Sequence, residues 1–319
     1  MGGHMLPDGL ELNGRVKIEE RASKRDRGAR RVGAIARLGV GAAYVAAALY
    51  VVFCLAPILF MVLASLKSDV EIFDPNSLFI FHPTTANYEE VLTGRTGAAQ
   101  AAGSYMGAST GPQALLASVI CTSVSTLLAL IFGATTAYGL ARYRFKGSRD
   151  LAYFILSTRM APPIAFVVPM YLLFKAVGLL DTYFVLIIVY TGMNLSFVVW
   201  LLRGFFLEIP IELEESALLD GYGRLDVFRK IALPLAKPGI IASGIFSAIF
   251  AWNEFLFAAI LTSDTVRTLP VAITGFSTSM GIRWGAFMAT AAVAIVPIFV
   301  LTVLLQRHLV RGLTFGAVK

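Results

Sequence analysis

Leu115–Leu140 reads LLASVICTSVSTLLALIFGATTAYGL, an apolar run in which the polar residues are small hydroxyl-bearing ones. A membrane-crossing helix needs about 20 mostly apolar residues, because each backbone N–H and C=O must find its partner inside the segment once water is gone. This run qualifies. Five more qualify on either side of it: Leu38–Leu66, Leu151–Val177, Tyr183–Leu202, Ile240–Leu261 and Trp284–Leu305. The fold class expected is therefore an all-α integral membrane protein of six transmembrane helices. Over the 319 residues, 57% are hydrophobic and 15% charged, a balance that a water-exposed surface does not carry. The first run follows a polar stretch and ends at Leu66-Lys67 without a small-residue cleavage pattern, so it reads as a span and not as a signal peptide.

The net charge of +7 would suit nucleic acid or anionic lipid, so the placement of the 27 basic residues matters. Most fall in alternate connections. Arg15, Lys17, Arg21, Lys24, Arg25, Arg27, Arg30, Arg31 and Arg37 precede the first span, and Arg142, Arg144, Lys146 and Arg149 lie between the second and third. Arg203, Arg224, Arg229, Lys230 and Lys237 lie between the fourth and fifth, and Arg307, Arg311 and Lys319 form the tail. Basic residues are retained on the cytoplasmic side, which places both termini there and makes a nucleic-acid partner unnecessary. The chain thus divides into a basic cytoplasmic segment (1–37) and a transmembrane domain (38–319). Within the latter are an external loop (67–114), a cytoplasmic loop (203–239) and a cytoplasmic tail (306–319). The external loop has a Gly/Ala/Ser-rich middle at 94–111 that reads as a mobile loop rather than a domain.

Catalytic and metal chemistry find little support. Cys54 and Cys121 each sit inside an apolar run and read as small core residues, and His4, His82 and His308 have no ligand spacing. No cofactor is expected on this chain. No G-x-x-x-x-G-K-[ST] stretch is present to cradle phosphates, so any ATP and Mg would be bound by separate subunits. A membrane-embedded enzyme would need converging nucleophile, base or metal ligands. An ion-coupled secondary transporter would typically carry several intramembrane carboxylates, whereas Glu254 stands essentially alone in the spans.

The cytoplasmic loop is the most informative connection. Pro210 can open a helix, since its missing N–H costs nothing at the first position, and Glu212, Glu214 and Glu215 favour the positive helix start. Gly221 can close it. Ser216 and Ala217 give it a small-sided face, with Leu213, Leu218 and Leu219 as apolar anchors. A second short helix is expected over Leu225–Ala232, ended by Pro234. Such a helix-turn-helix serves equally as a stiff surface connector or as a helix that docks in a partner's groove.

A resemblance separates these two. Glu215-Ser216-Ala217-Leu218-Leu219-Asp220-Gly221, then nine residues, then Ile231-Ala232-Leu233-Pro234, resembles the EAA motif of bacterial ABC-importer permeases. Thr158-Arg159-Met160-Ala161-Pro162-Pro163, Trp200-Leu201-Leu202-Arg203-Gly204-Phe205-Phe206, Ala251-Trp252-Asn253-Glu254-Phe255 and the tail from Val310 to Lys319 narrow it to the MalG-type carbohydrate permeases. The likeness covers about Val40–Lys319. It departs at Ser216, where the family usually has Ala, and in the lengthened external loop. The resemblance implies a permease subunit of an ATP-driven importer for an oligosaccharide, glycoside, polyol or glycerol phosphate, in a bacterial cytoplasmic membrane. It implies a second permease subunit, two ATPase subunits and an extracytoplasmic solute-binding protein as partners. Glu215, Ser216, Ala217, Asp220 and Gly221, with Ile231, Leu233 and Pro234, would form the coupling helix region seated on the ATPase. Leu313, Thr314 and Gly316 of the tail would reach toward that same subunit.

Inside the spans, polar residues mark a candidate solute path. Arg159 lies about 12 Å into the third span and Glu254 about 24 Å along the fifth at about 1.5 Å per residue, too far apart for a direct pair. Pro162, Pro163 and Pro169 are expected to kink or break the third span, and a broken helix beside a charge suggests a lined cavity. Arg159 could equally snorkel or bond carbonyls freed at the kink. Glu254 is expected to meet water near the outer half. Asn194 and Trp252 suit sugar contacts and helix packing alike, and Asn253 lies on the candidate path beside Glu254. Gly239, Ser243 and Ser247 form a small-residue stripe read as helix packing.

Overall fold

The structure, a computed structural model, describes residues 40–78, 80–93, 111–263, 265–278 and 281–314, with side chains to residue 304. The basic segment 1–37 and most of the Gly/Ala/Ser-rich stretch lie outside the described residues. Residues 1–60 and 61–319 form two units, and everything that builds the site belongs to the second.

Four helices are long and apolar enough to cross a membrane: Val40–Ser65, Gly111–Arg142, Tyr183–Glu208 and Trp284 onward to Thr314. Two bent pairs bring the number of spans to six when each pair is counted once. Ser148–Thr158 and Pro163–Ala176 meet at 91°, and Arg224–Leu235 and Lys237–Trp252 meet at 75°. The first bend has a simple origin. Pro162 has no N–H to offer the Thr158 carbonyl, and Pro163 is at home only in the first turn of a new helix.

The second and fourth spans form the centre of the bundle. Lipid gives no hydrophobic reward for bringing two apolar helices together, so close approach of backbones must do it, and small residues allow that. A Cβ on Gly133 would come within 2.4 Å of the Val198 side chain, and Ala129, Ala134 and Ala137 share a buried cluster with Val198, Val199 and Leu202. The fifth span joins through Gly239, where a Cβ would sit 2.5 Å from the Phe205 ring, and through the buried Ser243 and Ser247. Cys121 belongs to a second core cluster with Val185, Tyr190 and Phe257. Cys54, expected in a core, is exposed. In a chain whose solvent is hydrocarbon, an apolar position need not be an interior one.

Two local expectations are corrected. The fifth span does not run unbroken to Leu261: it stops at Trp252, and a short helix restarts at Leu256–Leu261. The Glu254 carboxylate causes the break by accepting the N–H groups of Phe257 (3.0 Å) and Ala258 (3.2 Å), which replaces helical continuity with a cap. Pro234 does not end the second loop helix, which continues over Arg224–Leu235 through a wide π turn at Phe228–Ala232. Pro234 cannot donate to a carbonyl four residues back, and the π turn absorbs the mismatch; Pro238 then enforces the turn at Ala236. The loop after the first span is folded over its first part, with helices Asp69–Ile72 and Ala86–Thr93. Asn87 donates to the carbonyls of Ser65 and Lys67, the buried Lys67 to those of Ser77 and Leu78, and Glu90 pairs with Arg283 at the start of the last span.

Between the third and fourth spans, Asp181 adopts φ +59 and gathers the loop after Leu261. Its carboxylate accepts the backbone N–H of Ser263, Thr265 and Val266 and the Ser263 hydroxyl at 2.9–3.0 Å. Partial burial opposes the charge, but the N–H groups of Ser263, Val266 and Thr265 outweigh it and hold the carboxyl well below the ordinary aspartate range. A depressed folded value stabilises the protein above the unfolded value and is lost as pH falls through the folded one. Asp181→Ala should therefore cost about 1–2 kcal/mol at pH 7, after discounting for partial exposure. That difference should narrow once pH drops below about 4. Thermal unfolding of both proteins in detergent at pH 7 and pH 3 measures it; a gap that widens in acid would be the wrong sign.

Candidate functional site

Both span breaks open onto one cavity of about 570 Å³. Thr158, Arg159, Ala161 and Pro163 come from the third-span break, and Phe166, Met170 and Phe174 from its second half. Ile188, Val189, Tyr190, Gly192, Met193, Asn194 and Ser196 come from the fourth span, and Phe250, Ala251, Glu254 and Phe257 from the end of the fifth. Each break frees backbone that lipid cannot satisfy, and a water-accessible cavity is the setting in which such backbone is tolerated.

Arg159 ends the first half of the broken span and turns its guanidinium across the cavity. It lies 4.5 Å from the Phe250 ring centroid and 5.7 Å from that of Phe197, and it donates to the Met193 carbonyl at 3.0 Å. Two aromatic faces and one carbonyl stabilise the cation, and among the described residues no carboxylate pairs with it. Glu254 lines the same cavity, its oxygens held by the restart of the helix. Among the described residues no ion pair joins the two. Asn194 is buried: its amide donates to the Ser247 carbonyl at 3.3 Å, and its Oδ1 has no hydrogen-bond partner among the described residues. A buried acceptor without a donor is costly unless something supplies one.

Two residues singled out with these lie elsewhere. Trp252 is buried among Ala114, Leu269 and Ala272 and donates its indole N–H to the Ala294 carbonyl of the sixth span at 3.1 Å. Asn253 spends its amide on the Ile249 carbonyl at 2.8 Å. Neither lines the cavity. The aromatic walls Tyr190 and Phe250 escaped sequence reasoning. Tyr190 and Asn194 are four residues apart, hence on one helix face, and that spacing could have pointed to Tyr190.

The loop helix runs over Ile211–Leu219, with Pro210 just before it as N-cap, and Gly221 closes it at φ +88. Only Glu214 and Ala217 are buried. Glu215, Ser216, Asp220 and Gly221 are exposed, as are Ile211, Leu213, Leu218 and Leu219, the last at 89%. Glu214 lies in the first turn with Glu212, as expected, but its carboxylate turns to the bundle. It accepts Tyr138 Oη at 2.8 Å and Arg142 Nε at 2.8 Å, both from the end of the second span, while Arg142 also donates to the Ile209 carbonyl. The helix is thereby bolted to the bundle by one face and bare on the other. In the following helix Leu233 packs on the core cluster of Tyr138 and Phe206, Ile231 is half-buried and Pro234 is exposed. In the tail, Leu313 and Thr314 continue the last helix, and Gly316 lies outside the described residues.

The fold and the cavity define a multi-pass membrane protein whose broken spans line a largely apolar cavity that carries Arg159, Asn194 and Glu254. Residues 125–315 match the family model for binding-protein-dependent transport system inner membrane components, and the chain belongs to that family. It is 38% identical to a probable ABC transporter permease protein, y4oR, of Sinorhizobium fredii, over 83% of this chain and 90% of that one. It is 31% identical to the trehalose/maltose transport system permease protein MalG of Thermococcus litoralis, over 86% and 95%. In fold it is similar to a chain of a bacterial ABC transporter that imports alginate, with TM-score 0.68 and 20% identity over 85% of this chain and 96% of that chain. Membership of this family sets aside the ion-coupled secondary transporter as an alternative.

Proposed function

We propose that this chain is the permease subunit of an ABC importer for a carbohydrate or related polyhydroxylated solute in a bacterial cytoplasmic membrane, with both termini on the cytoplasmic side. A solute-binding protein outside, a second permease subunit and two ATPase subunits would complete it, the ATP and Mg being held by the ATPases. Glu215, Ser216, Asp220 and Gly221 would seat in an ATPase groove as a coupling helix, while Ala217, buried on the opposite face, would hold that helix against the bundle. Ile231, Leu233 and Pro234 would buttress it, and Leu313, Thr314 and Gly316 would approach the ATPases from the tail. Closure of the ATPases would move the loop helix, and the Glu214 joint would carry that movement into the second span.

The observation that carries this reading is the loop helix with one face locked to the bundle and the other exposing apolar residues that nothing among the described residues covers. The cavity supports the solute class. The trehalose/maltose relative bears on the same point. Arg159, Asn194 and Glu254 can bond hydroxyl groups, and the exposed rings of Phe166 and Phe250 provide surfaces for pyranose C–H groups. Proteoliposomes holding the assembled transporter should take up sugar only with ATP inside, and those holding this chain alone should take up none.

Within that reading Asn194→Leu should raise the KM for uptake about tenfold, the cost of one lost hydrogen bond to a buried polar group of about 1.4 kcal/mol. Its interhelical bond to Ser247 contributes only about 0.6 kcal/mol, so folding should survive. Trp252→Phe, which changes a residue off the cavity, should leave KM alone. Equal KM shifts for the two variants would remove the cavity from the solute path.

A further inference from the structure

A second cavity of about 290 Å³ opens between the first half of the broken third span and the fourth span, away from the solute cavity. Its walls include Arg149 and Tyr153 from the first of these and Trp200 and Arg203 from the second, with Leu156 behind them. Arg149 is exposed in the first turn of Ser148–Thr158, and Arg203 stands near the end of Tyr183–Glu208, so both sit at the same edge of the bundle. Arg203 Nε is shut off from solvent and has no hydrogen-bond partner among the described residues. Asp150, the acidic residue of that first turn, does not line the cavity, and no carboxylate does.

Two guanidinium groups in one small cavity repel each other, and a buried guanidinium N–H without an acceptor is costly. Both penalties vanish if an anion with several acceptor oxygens occupies the space, and planar guanidinium suits a phosphate best. The source of that phosphate follows from the walls. Tyr153 is 62% exposed and Trp200 56%, on helices that traverse the bilayer, and amphipathic rings of this kind settle at headgroup depth. Leu156 and the exposed Phe154 continue the surface toward the hydrocarbon, where an acyl chain would lie. We infer that this cavity binds the phosphate headgroup of an anionic phospholipid, with Arg149 and Arg203 as its ligands. The inference rests on the chain spanning a bilayer and is independent of what it transports.

Native mass spectrometry of the detergent-solubilised transporter, titrated with phosphatidylglycerol or with phosphatidylcholine, tests it. Phosphatidylglycerol should be retained in preference. Arg149→Gln with Arg203→Gln should weaken its binding about thirtyfold, each basic residue near a lipid headgroup contributing about fivefold. Arg144→Gln, a nearby exposed arginine off the cavity, should leave it unchanged. Inorganic phosphate at millimolar concentration should not displace the lipid. The proposal is overturned if the wild-type protein holds both lipids equally, if the double and control variants lose binding alike, or if free phosphate competes as well as phosphatidylglycerol. Should the double variant fail to fold, the lipid preference and the phosphate competition on wild-type protein still decide.

Discussion

Glu214→Ala should lower the stability of the folded chain by about 3 kcal/mol, the low end of what removing one partner of a buried ion pair costs. The side chains of Glu214 and Arg142 are 6% and 9% exposed, so the guanidinium left behind cannot regain water. It keeps its bond to the Ile209 carbonyl, which is why the low end applies. Tyr138 loses its acceptor too. Denaturation in mixed micelles of detergent and sodium dodecyl sulfate measures the loss, and a shift under 0.5 kcal/mol would mean that the joint is not a buried one. Replacing all three polar groups, with Glu214→Leu, Arg142→Met and Tyr138→Phe, should recover most of the stability, because no charge is then left buried and only the Ile209 carbonyl loses its side-chain donor. If the joint transmits movement as proposed, the triple variant should still transport less well than wild type, having a packed contact where it had a directional one.

The spans were legible because lipid leaves the backbone no choice: any segment that crosses must satisfy itself, and a long apolar run records this directly. The third-span break was legible for a related reason, since Pro162 removes a donor wherever it stands. The fifth-span break was not. Glu254 makes it by curling back onto Phe257 and Ala258, and whether a carboxylate caps or points away depends on the surroundings rather than on its neighbours in sequence. Register explains the other differences. Glu214 and Glu215 are adjacent and chemically equal, yet about 100° of helical rotation puts one against Arg142 and Tyr138 and the other outside. Asn194 and Trp252 were equally eligible for the solute path, and only the packing of the fifth span against the sixth turned the indole toward Ala294.

Glu215→Lys should abolish stimulation of the partner ATPase by transport while leaving the chain inserted and folded. Glu215 is exposed and makes no ion pair among the described residues, so reversing its charge should change the free chain by no more than about 0.5 kcal/mol. In a docked interface the same reversal sets like charges together or strands a charge, which costs about 2–5 kcal/mol, or roughly thirtyfold to several thousandfold in occupancy. Gly221 gives an independent reading of the same contact. A Cβ there meets nothing within 4 Å, so the only intrinsic obstacle is its φ of +88. Gly221→Asn, which tolerates the left-handed region, should stay near wild type. Gly221→Leu should cost about 1–2 kcal/mol and re-aim the turn that sets Ile211–Leu219 against Arg224–Leu235. Coupled ATP hydrolysis in proteoliposomes, normalised to inserted permease, ranks the variants. The order expected is Glu215→Lys weakest, Gly221→Leu next and Gly221→Asn close to wild type. Full stimulation by Glu215→Lys would place the ATPase contact elsewhere on the chain, because no folded-state contact of Glu215 could compensate for the reversed charge.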